Sequence, residues 1–212
     1  MTDRSAFENG ENSVEIVLER IRIAAEAGAD WIQIREKDLQ GRTLSRLVEE
    51  ALLAARSRQG TPAKVIVNDR LDVAVAARAG GVHLGHASLP VADVIRWCRS
   101  GNAPADFLVG ISCHSAAEVR EAETAGANYV FFGPVFETPS KRHFGAPQGI
   151  AKLAEACQAV RIPVLAIGGV NSGNAAECVR AGAAGVAAIR EFQGANDGER
   201  ARNFVQLVHG SR

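Results

Sequence analysis

The sequence predicts an α/β fold, a single-domain (β/α)8 (TIM) barrel over residues 1–212, and three observations lead there. Short, almost wholly apolar runs alternate strictly with amphipathic stretches of helical length. A phrase of Ala, Gly and a small residue recurs where a helix should give way to a strand. Polar side chains collect at the carboxyl ends of the apolar runs. Strict alternation implies a parallel sheet with right-handed crossovers. Eight helix-sized segments in 212 residues, with no sign of a second domain, favour a closed barrel over its rival, an open flavodoxin-like sheet.

The recurring phrase reads Ala27-Gly28-Ala29-Asp30-Trp31, Ala79-Gly80-Gly81-Val82, Ala125-Gly126-Ala127-Asn128-Tyr129 and Ala181-Gly182-Ala183. Gly just past a helix end supplies the left-handed cap that turns the chain back. The expected strands are Trp31–Ile34, Val65–Val67, Val82–Leu84, Phe107–Val109, Tyr129–Phe132, Val164–Ile167 and Val186–Ile189. They are too short and too apolar for exposed helices and read as strands buried on both faces. Asn12 or Ser13 caps a helix to about Ala27, and Thr43 opens another to about Gln59. Asp69–Ala79 and Pro90–Arg99 follow, and Ser115-x-x-Glu118 is a capping box for the next. Ile150–Val160, Asn174–Ala181 and Gly198–His209 complete the set. Seven strands are visible; the eighth should come first, with Met1-Thr2 as its last residues and the rest of that strand truncated.

Composition narrows the function classes. The 24 basic and 24 acidic residues cancel and form no long run, which argues against a nucleic-acid or acidic-membrane partner. No apolar stretch approaches the length needed to span a bilayer, and no signal-peptide core follows Met1. Cys98, Cys113, Cys157 and Cys178 are scattered, so the plain reading is reduced thiols in a cytoplasmic protein. Self-association into a homo-oligomer is left open.

In such barrels chemistry gathers where strands end. The Trp31–Ile34 strand runs on into Arg35-Glu36-Lys37. On extended chain Gln33, Arg35 and Lys37 share a face, either as an anion clamp or as a basic strand end neutralised by Glu36 and Asp38. Asn68 and Asp69 end the next strand, as caps for the following helix or, for Asp69, as a hard carboxylate for Mg2+. His83 and His86 are three apart, on opposite faces of a strand, which speaks against a shared metal. Ser112 and His114 share a face and offer a hydroxyl and an acid/base group, while Cys113 packs. The loop from Gly133 to Pro147 carries Thr138, Ser140 and Lys141, as a lid or as a variable surface loop. Gly168-Gly169, with the amides around Ala188, Ile189 and Arg190, suits a phosphate. Two anion sites imply a two-substrate reaction.

With these stretches in view, the chain resembles the thiamine phosphate synthase family from about Trp31 to Gln193. Gln33-x-Arg35-Glu36-Lys37, Asn68-Asp69-Arg70, Gly81-Val82-His83-Leu84-Gly85, Gly133-Pro134-Val135-Phe136-x-Thr138-x-Ser140-Lys141 and Ala166-Ile167-Gly168-Gly169 occur in the family's order. The resemblance implies an enzyme joining a hydroxymethylpyrimidine diphosphate to a hydroxyethylthiazole phosphate, with thiamine phosphate and diphosphate as products and Mg2+ as cofactor. It implies that Arg35, Lys37, Asn68 and Lys141 hold the diphosphate, that Ser112 touches it, and that Gln33 meets the pyrimidine. Asp69 would bind the metal. Thr138, Ser140, Gly169 and the amides of Ala188, Ile189 and Arg190 would hold the thiazole phosphate.

Three departures stand out: Ser88 occupies the place of a second metal carboxylate, Arg190 replaces a small residue at the phosphate site, and the first strand is short. One alternative is the related thiazole tautomerase, for which His114 matches the proton-transfer residue and Ser88-Leu89-Pro90 and Phe136-Glu137-Thr138 fit. A tautomerase has no use for Arg35, Lys37, Asn68 and Asp69. A non-catalytic phosphate-ligand binder is the other alternative.

Overall fold

Seven strands alternate with eight α-helices in the computed structural model, which describes residues 1–4, 13–57, 60–138, 146–193 and 197–211. In chain order these are α1 (Ser13–Glu26), β1 (Trp31–Ile34), α2 (Gly41–Ala54), β2 (Lys64–Asn68), α3 (Leu71–Ala76), β3 (Gly81–Leu84), α4 (Val91–Trp97), β4 (Leu108–Cys113), α5 (Ala116–Thr124), β5 (Tyr129–Phe132), α6 (Gly149–Gln158), β6 (Val164–Ile167), α7 (Ala175–Arg180), β7 (Gly185–Ala187) and α8 (Asp197–Gly210). The chain divides into two compact units. The first spans Met1–His83, Ala103–Phe107 and Ile189–Val205; the second spans Leu84–Asn102, Leu108–Ala188 and Gln206–Arg212.

In the first unit β1, β2 and β3 run parallel, with Ile34 paired to Val67 and Asn68 to His83. Ile32, Gln33 and Ile34 are all buried, as are Val65, Ile66 and Val67, so both faces of these strands are covered. That is why their sequences read as unbroken apolar runs. α2 buries Leu44, Leu47, Val48 and Ala51, the i, i+3, i+4, i+7 stripe of an amphipathic helix. Before β1, the Thr2 N–H donates to the Gln33 carbonyl at 2.8 Å, and Arg35 N–H donates to Thr2 Oγ1 at 2.9 Å. Thr2 thus lies along β1 as the end of a first strand should, but no eighth strand occurs among the described residues.

In the second unit β4, β5, β6 and β7 are parallel in sequence order. Tyr129–Phe132 are wholly buried. β4 runs to Cys113, past the expected Phe107–Val109, because Gly110 does not interrupt it. Gly110 pairs with Tyr129, and a Cβ there would meet the Tyr129 ring at 2.1 Å. The glycine is needed for packing across the pair. β7 ends at Ala187, two residues early, where the chain enters a short 3-10 turn at Arg190–Phe192.

The expected glycine caps hold at Gly28, Gly126 and Gly182, with φ of 94°, 91° and 102°. The fourth does not. After α3 the left-handed residue is Arg78 (φ 56°), and Gly80 is required because its Cβ would strike Lys64 Cγ at 2.3 Å. The Ser115 capping box forms, with Glu118 N–H donating to Ser115 Oγ at 3.2 Å. The Glu118 carboxylate takes the His114 amide at 2.8 Å rather than that of Ser115. The expected cap Asn12 lies outside the described residues. No helix among the described residues is long and apolar enough to cross a membrane.

Candidate active site

Of the residues singled out from sequence, Gln33, Arg35, Lys37, Asn68 and Asp69 lie at strand ends of the first unit. Gln33 is 5% exposed, and its Nε2 donates to Asn68 Oδ1 at 3.3 Å, tying β1 to β2. Its Oε1 is buried with no partner among the described residues. A buried amide oxygen left unpaired is costly unless a ligand supplies the donor. Arg35 directly follows Ile34, the last residue of β1, whose partner on β2 is Val67. Alternation does not extend to Lys37, because β1 ends at Ile34 and residues 37–38 form a turn.

Glu36 and Asp38 do not neutralise the two cations. Arg4 takes both: its N–H donates to Glu36 Oε2 at 2.9 Å, its Nε lies 4.0 Å from the same oxygen, and its guanidinium pairs with Asp38. Glu36 is 6% exposed, and burial pushes its carboxyl up, opposed by hydrogen bonds from Thr2 and Arg4. Among the described residues neither Arg35 nor Lys37 has an ion pair. Uncompensated cations at strand ends draw in anions.

Asp69 follows with φ 67°, an uncommon conformation for a residue with a side chain and one that clusters at functional sites. Its N–H donates to the His83 carbonyl at 2.8 Å. The carboxylate is on an exposed residue, and the N-cap of α3 is Arg70, which makes no side-chain cap bond. Arg70 instead pairs with Asp72 at 2.6 Å. His83 is 2% exposed, and burial followed by the Arg35 cation push its imidazole down to about 3. His86 is exposed. Among the described residues no group of three or more His, Cys, Asp or Glu converges as a metal site.

In the second unit Ser112 lies on β4, paired with Phe131. His114 lies beyond the strand, so alternation does not place it; its Nδ1 is bonded to the Gly133 carbonyl. A carbonyl only accepts, so Nδ1 is the donor in this bond. Cys113 is 2% exposed, with its thiol pushed up to about 12 by burial, then by Glu118 and Glu121, which leaves it inert.

The turns after β5 and β6 are stitched together. Val135 and Phe136 N–H groups donate to the Ile167 and Gly168 carbonyls, both at 2.9 Å. Gly169 has φ 69°, and a Cβ there would meet the Glu137 carbonyl at 2.5 Å and Phe136 Cβ at 2.8 Å. Its carbonyl accepts from Asn174 Nδ2 at 3.1 Å and Asn171 Nδ2 at 3.3 Å. Its N–H makes no hydrogen bond among the described residues. These two asparagines were missed from sequence; the Asn-x-x-Asn pattern one residue after Gly-Gly was the available signal. Thr138 is half-buried, whereas Ser140 and Lys141 lie outside the described residues. Ser88 Oγ accepts the Gly85 N–H at 2.7 Å and closes a turn.

Ala188 is buried at the end of the second unit, and Ile189 and Arg190 belong to the first. Arg190 is exposed. Its neighbour Glu191, 2% exposed, is held by Arg200 through two bonds of 2.8 and 3.1 Å.

Parallel strands that alternate with helices and carry polar residues at their carboxyl ends are the architecture of an α/β enzyme. Residues 5–192 match the family described as thiamine monophosphate synthase. A thiamine-phosphate synthase of Roseiflexus castenholzii is 43% identical over 100% of this chain and 87% of its own length. A putative thiamine-phosphate synthase of Geobacter sulfurreducens is 41% identical over 87% of this chain and 84% of its own. Among solved structures, thiamine phosphate pyrophosphorylase from Pyrococcus furiosus matches with a TM-score of 0.81 and 30% identity, over 92% of this chain and 90% of that one. A 3-hexulose-6-phosphate synthase, at 18% identity and TM-score 0.68, shares the fold alone. The chain belongs to the thiamine monophosphate synthase family and is a transferase.

Proposed function

We propose that this enzyme joins hydroxymethylpyrimidine diphosphate to hydroxyethylthiazole phosphate, releasing thiamine phosphate and diphosphate. The observation that carries the reading is the first unit's strand-end cluster. Gln33 presents a buried, unpartnered oxygen, while Arg35 and Lys37 keep their charge because Arg4 occupies Glu36 and Asp38. Gln33 Oε1 accepts from the amino group of the pyrimidine, its own amide being oriented by Asn68. Arg35 and Lys37, with Asn68, Ser112 and Lys141, hold the diphosphate and stabilise the charge that grows as the carbon–oxygen bond ionises. The thiazole nitrogen then captures the pyrimidinylmethyl cation, and diphosphate departs. The N–H of Gly169, the hydroxyls of Thr138 and Ser140, and the amides of Ala188, Ile189 and Arg190 hold the thiazole phosphate.

Asp69 fits Mg2+: a hard oxygen donor, held out by a left-handed backbone, suits a metal that binds through one or two carboxylates plus substrate phosphates and water. When bound, the ion supplies positive charge to the diphosphate oxygens. Ser88, engaged with Gly85, adds no carboxylate. The eight-stranded barrel and a cytoplasmic location, the latter supported by four free thiols, belong to the same proposal.

The test is formation of thiamine phosphate from the two substrates with Mg2+ and again with chelator. Product that disappears on chelation is expected. A folded protein that makes none overturns the reading and returns attention to the tautomerase chemistry of His114.

A further inference from the structure

We propose that Arg4 is a positioning residue for the diphosphate clamp, which fixes the turn carrying Lys37 and offsets the charge of Asp38. The inference rests on the synthase reading above and gives the segment ahead of α1 a part in it. Lys37 lies past the end of β1, in a turn at residues 37–38, where strand pairing no longer fixes it. The residues on either side of Lys37 are both acids, and Arg4 holds both. Its N–H donates to Glu36 Oε2 at 2.9 Å, and its guanidinium pairs with Asp38. The segment that bears Arg4 is itself anchored. The Thr2 N–H donates to the Gln33 carbonyl, Thr2 Oγ1 accepts from the Arg35 N–H, and the Asp3 carbonyl accepts from Gln193 Nε2 at 3.3 Å.

Charge decides what the contact is for. Arg35, Glu36, Lys37 and Asp38 cancel one another, and Arg4 tips the group to a net positive charge. The Asp38 side chain is 71% exposed and that of Arg4 22%, and an exposed pair of this kind contributes little to stability. It does change the potential at Lys37, one residue away, where an anion is to bind. Without the Arg4 guanidinium, the Asp38 carboxylate is released to compete with a diphosphate for the Lys37 ammonium. Glu36 keeps its bond to the Arg4 main chain whatever side chain stands at residue 4, so substitution there acts chiefly through Asp38.

The experiment is calorimetric titration of the full chain with inorganic diphosphate, beside steady-state kinetics with both substrates. Arg4→Met should weaken diphosphate binding about tenfold, the scale of one unit charge beside the clamp. KM for the pyrimidine diphosphate should rise with it, while KM for the thiazole phosphate stays unchanged. Arg4→Lys, which keeps the charge, should recover most of the affinity. Adding Asp38→Asn to Arg4→Met should restore binding close to native, because no acid is left to offset. A merely structural role would raise both KM values and would not be relieved by Asp38→Asn. If Arg4→Met does not fold, Arg4→Gln, polar and uncharged, takes its place with the same rescue expected. Native diphosphate affinity in the uncharged variant, or a loss that Asp38→Asn does not relieve, overturns this inference while leaving the synthase reading intact. A native chain that neither binds diphosphate nor makes thiamine phosphate overturns both.

Discussion

Replacing Gly169 by alanine separates two costs that the structure makes distinct. The first is conformational: φ at Gly169 is 69°, and a side chain in the left-handed region costs about 1–2 kcal/mol. The second is contact: the new Cβ would sit 2.5 Å from the Glu137 carbonyl and 2.8 Å from Phe136 Cβ. Backbone must move to relieve it, which costs about 1–3 kcal/mol more by analogy with overpacked cores. Gly101 supplies the control, with φ 87° and nothing within 4 Å of its Cβ position. Urea denaturation should therefore show a loss of about 1–2 kcal/mol for Gly101→Ala and about 2–5 kcal/mol for Gly169→Ala. The shifted segment is Phe136–Thr138, so Gly169→Ala should also weaken thiazole phosphate binding, measured by calorimetry, while Gly101→Ala leaves it unchanged. Equal destabilisation of the two variants would refute the contact argument.

Three further outcomes follow from the same geometry. Asp69→Asn should abolish Mg2+-dependent turnover and leave calorimetric binding of thiazole phosphate unchanged; loss of both together would remove Asp69 from the metal role. Arg200→Met should lower the urea-derived stability by about 1–2 kcal/mol, because it removes two charge-assisted bonds from the Glu191 carboxylate, whose side chain is 3% exposed, while half of Arg200 is open to solvent. The His83 imidazole titrates below its ordinary 6.5 in the folded chain, so the unfolded chain binds that proton more tightly. Stability from this group is fully present above pH ~6.5 and is lost as pH falls toward 3. Between pH 7 and 5 the native chain should lose about 2 kcal/mol that His83→Gln does not lose, read from denaturation curves at the two pH values.

Local chemistry was legible wherever it depends on neighbours in the chain. The apolar runs became strands covered on both faces, Ser115 capped α5, and Gly28, Gly126 and Gly182 adopted the left-handed caps their phrases imply. Gln33, Asn68, Asp69 and Gly169 stood out as candidates because strand ends collect polar groups, and each lies at or just past the end of a strand. Periodicity failed where an element stopped sooner than its pattern: Lys37 and His114 lie past their strands, beyond the reach of alternation.

What only the tertiary structure decided is which groups face one another. Arg4, 32 and 34 residues away, takes the two acids that local sequence would have paired with Arg35 and Lys37. Gln33 meets Asn68 across β1 and β2, His114 meets the Gly133 carbonyl, and Gly169 makes room for Phe136 and Glu137. Gly80 serves Lys64 rather than the helix cap its phrase suggests. Helix caps and strand runs rest on short-range torsional and burial preferences, which every stretch of sequence carries with it. Charge compensation and close backbone approach depend on contacts between distant segments, and those exist only once the strands have taken their register.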